Sequence, residues 1–426
     1  MQRARAPWRT LKASALAWLG ALTVLAAPSA AADAPVRSGT SAAAPEVSCA
    51  WPAVVRPGRL NIAFPETNAT YWMTPYRLGR GESIVAEGTY PSARFTSLTA
   101  YDATGSPVDS LADHQIAPDP GSRNPFAVAD AGTNPAQHRY RVTLKTGVAA
   151  GSGGNTLAAT ARSAGSGTGW LVLRIYVPDK DSDPTGGVPL PTLTRQRQGS
   201  SAGAMATCPR ADAAKGPAGP VATALRDVVK KYAPAGGFEG CGTSTASAPG
   251  FALPNKVGGL FPNPYNKYLC TELKHASGRV AVIRGKAPTF PDTTNGQSVL
   301  TATQVRYWSL CQNQVQLPYP VSSCAADFQT ARDRDGRYTY VVSTAQDRPA
   351  NATTKDGVTW IDWGPTDVTS VLILRNMLPA QDFTHAVQDV RKGDDPAKAM
   401  GDYYPTIAYC TKDAFAKGGP DACSGG

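Results

Sequence analysis

The segment Arg94–Leu98 (RFTSL) returns later in the chain as Arg306–Leu310 (RYWSL), and other blocks return around it in the same order. Three of the four blocks keep their internal spacing, so chance is a poor explanation. We therefore predict an internal duplication. The first copies are Phe64–Tyr71, Gly88–Leu98, Arg139–Leu144 and Leu171–Pro178, and the second copies are Phe261–Tyr268, Gly285–Leu310, Arg337–Val342 and Leu372–Pro379.

The repeated blocks consist of short runs rich in Val, Ile, Tyr and Thr that are separated by Gly, Pro, Asn and Asp. This pattern is typical of antiparallel sandwiches. We predict a mainly β fold with two tandem antiparallel β-sandwich (jelly-roll-like) domains and one short connecting helix. Each unit of about 150 residues is large enough to bury its own core. The alternative is one continuous sandwich built from both halves.

Composition changes along the chain predict where the parts begin and end. Apolar residues at helical spacing, between Pro220 and Pro234, predict a helix at 220–232 that packs between the two copies. The predicted parts are a signal peptide at 1–32, a flexible linker at 33–48, a first β-sandwich at 49–200, a linker with the helix at 201–250 and a second β-sandwich at 251–426.

The N-terminus carries the pattern of a secretory signal peptide. Four basic residues precede the apolar run Ala15–Ala27, and small residues follow up to Ala32, where we predict cleavage. A retained membrane anchor is the weaker alternative, because about 13 apolar residues are too few to cross a bilayer. We therefore predict a secreted protein, extracellular or associated with the cell wall.

The charge of the mature chain argues against two classes of partner. Removal of residues 1–32 leaves 38 basic and 32 acidic residues, a formal charge of +6. No run of five Lys or Arg residues remains, so nucleic-acid binding is not expected. No mature segment has the roughly 18 consecutive apolar residues of a membrane span. The oligomeric state stays open.

The cysteine content agrees with export. All eight cysteines lie after the signal peptide, and an even number in an exported chain predicts four disulfides. Short separation favours pairing Cys311 with Cys324 and Cys410 with Cys423. A cysteine or histidine metal site is not favoured, because the chain has no C-x-x-C and its four histidines are dispersed.

Six motifs in the second half resemble bacterial secreted proteins of the domain-of-unknown-function 1254 and 1214 type. They are Asn266–Tyr268, Gly285–Pro288, Arg306–Leu310, Asp335–Tyr338, Trp360–Pro365 and Leu372–Arg375. The first half matches these patterns loosely. The resemblance implies an exported double β-sandwich and brings no established activity with it.

A local catalytic motif is not evident. A serine hydrolase needs a nucleophile next to a base, and the dispersed histidines identify no base. A glycoside hydrolase needs two facing carboxylates, which spacing alone does not reveal. The available acids include Glu66, Glu87, Asp102, Asp362 and Asp367, most of which we expect to be turn or solvated residues.

One acidic segment is a candidate cation site. Asp179, Asp181 and Asp183 are spaced two apart, so their carboxylates are able to share a hard cation such as Ca²⁺. The sequence departs from an EF-hand loop, with Pro184 at the sixth position where glycine is needed. The favoured alternative is a solvated turn, and no other cofactor is predicted.

Arginines and aromatic residues supply the candidate ligand-binding positions. Arg94 and Arg306 are duplicated, which favours a role in holding the fold, and anion binding is the alternative. Aromatic rings beside an acid suit sugar faces or cationic groups. The aromatic and acidic candidates are Trp360, Asp362, Trp363, Tyr71 and Trp72.

Trp360 and Trp363 are three residues apart, so in a strand their side chains face opposite sides and one of them is expected in the core. We predict a protein that binds a cell-wall glycan or a small amphiphilic molecule in a groove between the domains. The alternative is an extracellular hydrolase or cyclase whose active site is assembled from both halves.

Overall fold

A computed structural model describes residues 47–159, 167–179, 183–197, 200–208, 219–232, 241, 249–254 and 261–423. The predicted signal peptide and most of the predicted linker at 33–48 lie outside these residues. Strands dominate the described chain and its helices are few and short, which confirms the predicted mainly β fold. Among the described helices, none reaches the length and apolar character that crossing a membrane requires.

The first half forms two five-stranded sheets. Its strands are β1 (Ala53–Val55), β2 (Ala69–Leu78), β3 (Ser83–Thr89), β4 (Ala93–Asp102), β5 (Pro107–Ala112), β6 (Arg139–Lys145), β7 (Thr156–Ala158), β8 (Gly167–Pro178), β9 (Thr192–Arg197) and β10 (Ser200–Met205). The strand order is β1-β2-β8-β4-β5 in one sheet and β10-β9-β3-β6-β7 in the other. Trp72 and Leu173 from one sheet pack with Ile84 and Val142 from the other, so the two sheets form a sandwich.

A helix and two four-stranded sheets follow. The elements are α1 (Pro220–Tyr232), β11 (Asn266–Leu273), β12 (Arg279–Lys286), β13 (Val305–Gln314), β14 (Val321–Ala326), β15 (Arg337–Ser343), β16 (Val358–Asp362), β17 (Ser370–Pro379), α2 (Pro396–Met400), β18 (Thr406–Thr411) and α3 (Lys412–Gly418). The strand orders are β11-β17-β13-β14 and β16-β15-β12-β18. Their facing side chains, among them Trp308, Leu374 and Tyr340, form the second core.

The two halves share one topology. The order β2-β8-β4-β5 corresponds to β11-β17-β13-β14, and β9-β3-β6-β7 corresponds to β18-β12-β15-β16. In each half one strand pair is parallel, β6 with β7 and β15 with β16, and the other pairs are antiparallel. The sequence blocks that match each other therefore occupy equivalent strands.

A recurring glycine has a packing reason in both halves. A Cβ atom on Gly88 would lie 2.8 Å from Tyr140 Oη, and one on Gly285 would lie 2.5 Å from Tyr338 Oη. Each tyrosine ring lies directly over the glycine of the adjacent strand, so a side chain at the glycine position would collide with the ring. The repeated Gly and Arg-Tyr motifs thus describe one contact made twice.

Helix α1 has the predicted bounds and packs on the first half. Val221, Leu225 and Val229 contact the face of the β1-β2-β8-β4-β5 sheet that points away from the sandwich core, near Trp170. Tyr319 from the second half joins the edge of this cluster. The helix therefore lies mainly on one half, whereas the sequence predicts a position between the copies.

Four disulfides include the two predicted pairs, Cys311–Cys324 and Cys410–Cys423. The others join Cys49 to Cys208 and Cys241 to Cys270, and no cysteine is free. Because β10 pairs with β9 and Cys208 is bonded to Cys49, the first half continues to residue 208, beyond the limit at 200 that the sequence predicts.

Alkaline pH is expected to destabilise the fold, because buried tyrosines keep protons that the unfolded chain releases. Burial raises the pKa of Tyr101 to about 12 and raises the pKa values of Tyr140 and Tyr338 further. These folded-state pKa values lie above the unfolded value of about 10. The contribution of the buried tyrosines to the free energy of unfolding is therefore complete below about pH 10 and falls as the pH rises towards the folded-state pKa values. The part of the tyrosinate absorbance that comes from the buried tyrosines should appear together with the loss of circular dichroism. Tyrosinate that forms fully before the circular dichroism changes would contradict this.

Candidate functional site

The halves meet through two reciprocal ion pairs. Arg94 Nη1 of the first half donates to Asp327 of the second, and Arg306 Nη1 of the second half lies 3.5 Å from Asp113 of the first. All four side chains are 0% exposed. Arg94 and Arg306 occupy equivalent places on β4 and β13, and each aspartate directly follows the adjacent strand, β5 or β14. The interface is therefore close to two-fold symmetric.

Backbone donors complete the environment of each aspartate. Asp327 accepts from the amides of Trp308 at 3.1 Å and Phe328 at 2.7 Å. Asp113 accepts in the same way from Thr96 and His114. Burial raises the pKa of Asp327 to about 6, and the Arg94 guanidinium opposes this rise. Both carboxylates are thus held by an arginine from the other half and by their own half's backbone.

A second reciprocal contact joins the halves. Arg375 Nη2 donates to the Phe64 carbonyl at 3.0 Å, and Arg174 Nη2 donates to the Phe261 carbonyl at 2.9 Å. Both phenylalanines belong to the repeated Phe-Pro motif and have positive φ angles of 54°. The repeated motifs therefore mark the interface between the halves.

Tyrosines surround these arginines. The Arg174 guanidinium lies 5.5 Å from the Tyr71 ring and 5.3 Å from the Tyr101 ring, and the Arg375 guanidinium lies 5.7 Å from the Tyr268 ring. Burial is the largest cause that raises the pKa of Tyr71. The space between the halves thus combines fixed positive charge with neutral phenols.

An open groove runs along the junction of the two halves, with a volume of about 590 Å³. We call it the inter-half groove. Its described lining carries hydroxyl, amide, proline and aromatic groups and one arginine. The residues are Arg56, Pro57, Thr67, Asn68, Ala69, Thr70, Val177, Pro178 and Pro184 of the first half and Thr294, Asn295 and Phe328 of the second.

A second cavity of about 660 Å³ lies within the second half alone. Arg284, Arg337 and Asp402 line it, together with Tyr338 and Tyr404. Arg284 pairs with the exposed Asp421 at 2.7 Å, and Arg337 lies 3.8 Å from Asp402. Exposed ion pairs of this kind contribute little binding or folding energy and are screened by salt. The inter-half groove is therefore the better candidate for a ligand site.

The predicted ligand-binding residues are not part of the described lining of the inter-half groove. Arg94 and Arg306 are enclosed and paired, which agrees with a role in holding the fold and leaves them no exposed surface for a ligand. Trp72 is buried in the first-half core. Tyr71 is partly exposed, and its hydroxyl lies 3.2 Å from that of Tyr176 between the halves.

The tryptophan cluster lies on the second half and away from the groove lining. Trp363 is 2% exposed, and its ring contacts His275. Trp360 is partly exposed, with its indole 4.5 Å from the Arg348 guanidinium and its Nε1 donating to Ser343 Oγ at 3.0 Å. One of the two is in the core, as strand geometry predicts. A role of Trp360 and the neighbouring Asp362 in recognition stays a prediction.

Trp363→Ala is expected to lower the free energy of unfolding by about 3 kcal/mol, at the low end for a buried tryptophan, since its Nε1 has no partner among the described residues. Trp360→Ala, at a partly exposed position, should lower it by about 1 kcal/mol, since it loses one cation–π contact and one hydrogen bond. Urea denaturation of both variants measures the difference. Equal losses would contradict the assignment of Trp363 alone to the core.

Only part of the candidate cation segment is described. Asp183 accepts from the amide of Thr185 at 2.9 Å, which is the bonding of an Asx turn. Asp179 is half-buried, and burial raises the pKa of its carboxyl. Asp181 lies outside the described residues, so the Ca²⁺ site stays a prediction.

Two other signals lead to no catalytic group. Within the described residues, the cluster of metal-ligating side chains consists of Glu66, Cys311 and Cys324, and the two sulfurs are bonded to each other. The sequence also contains a G-x-S-x-G match centred on Ser201, which the sequence analysis missed. It lies within β10 opposite Gln196, not on a strand-to-helix turn.

Comparison with known proteins identifies no family for this chain. No protein-family model and no curated protein matches the chain. An uncharacterized protein from Burkholderia cenocepacia has 14% sequence identity and a TM-score of 0.47, over 86% of this chain and 83% of that one. The VPA0106 protein from Vibrio parahaemolyticus has 12% identity and a TM-score of 0.38, over 82% and 90%. The resemblance to families 1254 and 1214 stays a prediction.

Proposed function

We propose that this protein is exported and binds a small polar or amphiphilic molecule, with a cell-wall glycan as the favoured class, in the inter-half groove. The observation that carries the proposal is the 590 Å³ groove, which both halves line. Its volume falls in the range of small-molecule sites. The shared topology of the halves supports a duplication that created the groove at their junction.

The lining chemistry suits a sugar. Asn68, Thr70, Thr294 and Asn295 contribute amide and hydroxyl groups to the lining, and their oxygens are able to accept from sugar hydroxyls. The Phe328 ring provides an apolar face for sugar C–H groups. Arg56 adds a positive charge that favours an anionic glycan.

The export part of the proposal rests on the sequence and the disulfides. Four disulfides are typical of chains that fold in an oxidising compartment. The net charge of +6 predicted for the mature chain favours contact with an anionic cell wall.

The groove favours binding over the hydrolase or cyclase alternative. Acid–base hydrolysis needs carboxylates or histidines close to the substrate. The described lining of the groove contains neither. None of the four histidines belongs to this described lining. His114 lies 3.3 Å from Asp113, and His275 lies 3.9 Å from Asp347. His138 contacts a backbone carbonyl, and His385 stacks on Tyr403.

The test is a groove-blocking variant. Asn295 has an exposed side chain and lines the groove, so Asn295→Trp is expected to fill the groove and leave the fold intact. Isothermal titration with soluble peptidoglycan disaccharides should give binding to the wild type and at least tenfold weaker binding to N295W.

Ser298→Trp is the matched control, because Ser298 is exposed on the same loop and does not line the groove. S298W should bind as the wild type does. Equal binding by N295W and S298W would place the ligand elsewhere, and no heat from any saccharide with the wild type would exclude the glycan class.

A further inference from the structure

Glu66 and Asn263 occupy matching positions with different charge. Glu66 stands two residues after Phe64, whose carbonyl accepts from Arg375. Asn263 stands two residues after Phe261, whose carbonyl accepts from Arg174. One centre of the interface therefore contains a carboxylate, and its counterpart contains a neutral amide.

The Glu66 carboxylate of the first centre already has hydrogen-bond and ion-pair partners. Glu66 Oε2 accepts from Ser309 Oγ at 2.5 Å and lies 3.5 Å from Arg375 Nη1. Ser309 and Arg375 are direct partners across β13 and β17. A hydroxyl and a guanidinium thus converge on one carboxylate oxygen.

The second centre repeats this frame. Ser97 and Arg174 are direct partners across β4 and β8, as Ser309 and Arg375 are across β13 and β17. Arg174 Nη2 is taken by Tyr101 Oη and the Phe261 carbonyl. Its Nη1 is left for another acceptor.

The Asn263 amide is oriented by its own turn. Its Oδ1 accepts from the Tyr265 amide at 3.2 Å, just as Glu66 Oε1 accepts from the Asn68 amide at 3.4 Å. The Asn263 Nδ2 therefore points to the side on which Glu66 presents Oε2. At this position the second centre has the donor Asn263 Nδ2 where the first centre has the acceptor Glu66 Oε2.

Three buried donors result. Ser97 Oγ, Arg174 Nη1 and Asn263 Nδ2 have no hydrogen-bond partner in the part of the chain that the structure describes. The three residues are 0%, 3% and 4% exposed, respectively. Buried donors without partners are rare in folded proteins, and a cluster of three calls for an acceptor from outside the chain.

We propose that Ser97, Arg174 and Asn263 bind the carboxylate group of a small molecule. In this site the ligand carboxylate accepts from the three donors, as the Glu66 carboxylate accepts in the matching centre. None of the three residues lines the inter-half groove, so this site is separate from the proposed function.

The charge and size of the centre favour a carboxylate over a phosphate. One guanidinium balances one negative charge, and the matching arginine of the first centre, Arg375, is already paired with Glu66. The matching centre holds a planar carboxylate in an equivalent frame. A phosphate dianion would remain partly uncompensated in a buried position.

Partly exposed residues lie directly beside the centre. The Tyr71 ring is 5.5 Å from the Arg174 guanidinium, and Phe261 accepts from Arg174, and both are partly exposed. The centre is therefore in contact with side chains that reach the surface.

The test compares acetate with neutral and phosphate probes. At constant ionic strength, acetate should raise the melting temperature of the wild type as its concentration rises, whereas acetamide and phosphate should not. Asn263→Glu supplies the carboxylate from within the chain, and Asn263→Gln adds the same methylene group without charge. We expect N263E to melt several degrees above N263Q and to show no response to acetate.

An identical response of the wild type to acetate and chloride would overturn the proposal. A response of N263E equal to that of the wild type would overturn it as well. If N263E does not fold, acetate titration of the wild type against acetamide decides alone. The groove-blocked variant N295W should keep its acetate response, so failure of the glycan proposal and failure of this one are distinguishable.

Discussion

Arg94→Met is expected to lower the free energy of unfolding by about 3–5 kcal/mol, because it leaves the Asp327 carboxylate buried without its partner. Asp327 is 0% exposed, and the other half supplies its guanidinium. Methionine fills similar volume, so the loss reports the missing charge and not a cavity. Urea denaturation followed by tryptophan fluorescence measures it.

A surface arginine provides the control. Arg123 pairs with Asp130 at 2.9 Å, and their side chains are 54% and 83% exposed. Arg123→Met should therefore change the unfolding free energy by less than about 1 kcal/mol. Adding Asp327→Asn to R94M should recover part of the loss, since it removes the buried charge. A loss for R94M no larger than that for R123M would contradict a structural role of the pair.

The R94M deficit should also depend on pH. The pKa of Asp327 is already raised to about 6 in the wild type by burial, and removal of Arg94 takes away an effect that lowers it. The unfolded chains of both proteins titrate alike, so the pH dependence of the deficit comes from the higher folded pKa of Asp327 in R94M. The deficit should therefore shrink as the pH falls towards about 6, the wild-type value, and level off below it.

The second large effect concerns the longest disulfide loop. Cys49 and Cys208 are 159 residues apart, and on the chain-entropy model opening this loop costs about 5 kcal/mol. The pair Cys410–Cys423 spans 13 residues, and its removal should cost about 3 kcal/mol. Alanine replacement of each pair, compared by denaturation without reductant, tests the order.

Fold geometry supports a large effect for the first pair. The Cys49–Cys208 bond ties the start of the first half to the segment after β10, and Cys208 N donates to the Ala50 carbonyl at 2.9 Å beside it. Loss of the disulfide therefore frees both ends of the first sandwich. Equal stability of the two alanine variants would mean that the loop length does not set the contribution.

Much of the architecture was predictable from local patterns. The stripe from Val221 to Tyr232 predicted helix α1 to the residue, because apolar spacing and flanking prolines act within a few turns. The two disulfides of short separation were predictable for a similar reason, since nearby cysteines meet often. The longer pairs were not, because many connectivities fit one sequence.

The candidate site was much less predictable. The repeat pointed to Arg94 and Arg306, yet their partners Asp327 and Asp113 lie far away in sequence and carried no signal of their own. Glu66 stood out only as one acid among others. Comparing the repeats position by position, with Glu66 against Asn263, was the one signal that would have marked the second centre.

By itself, the sequence determined the β-rich character, the repeated order of the strands and helix α1, because turn residues, alternation and apolar spacing act over a few neighbouring residues. Only the tertiary structure decided which copies of Arg94 and Arg306 face which aspartates, that Trp363 is buried while Trp360 is partly exposed, and that both halves line one groove. These features depend on how two sandwiches dock, and docking is set by contacts between residues some two hundred positions apart.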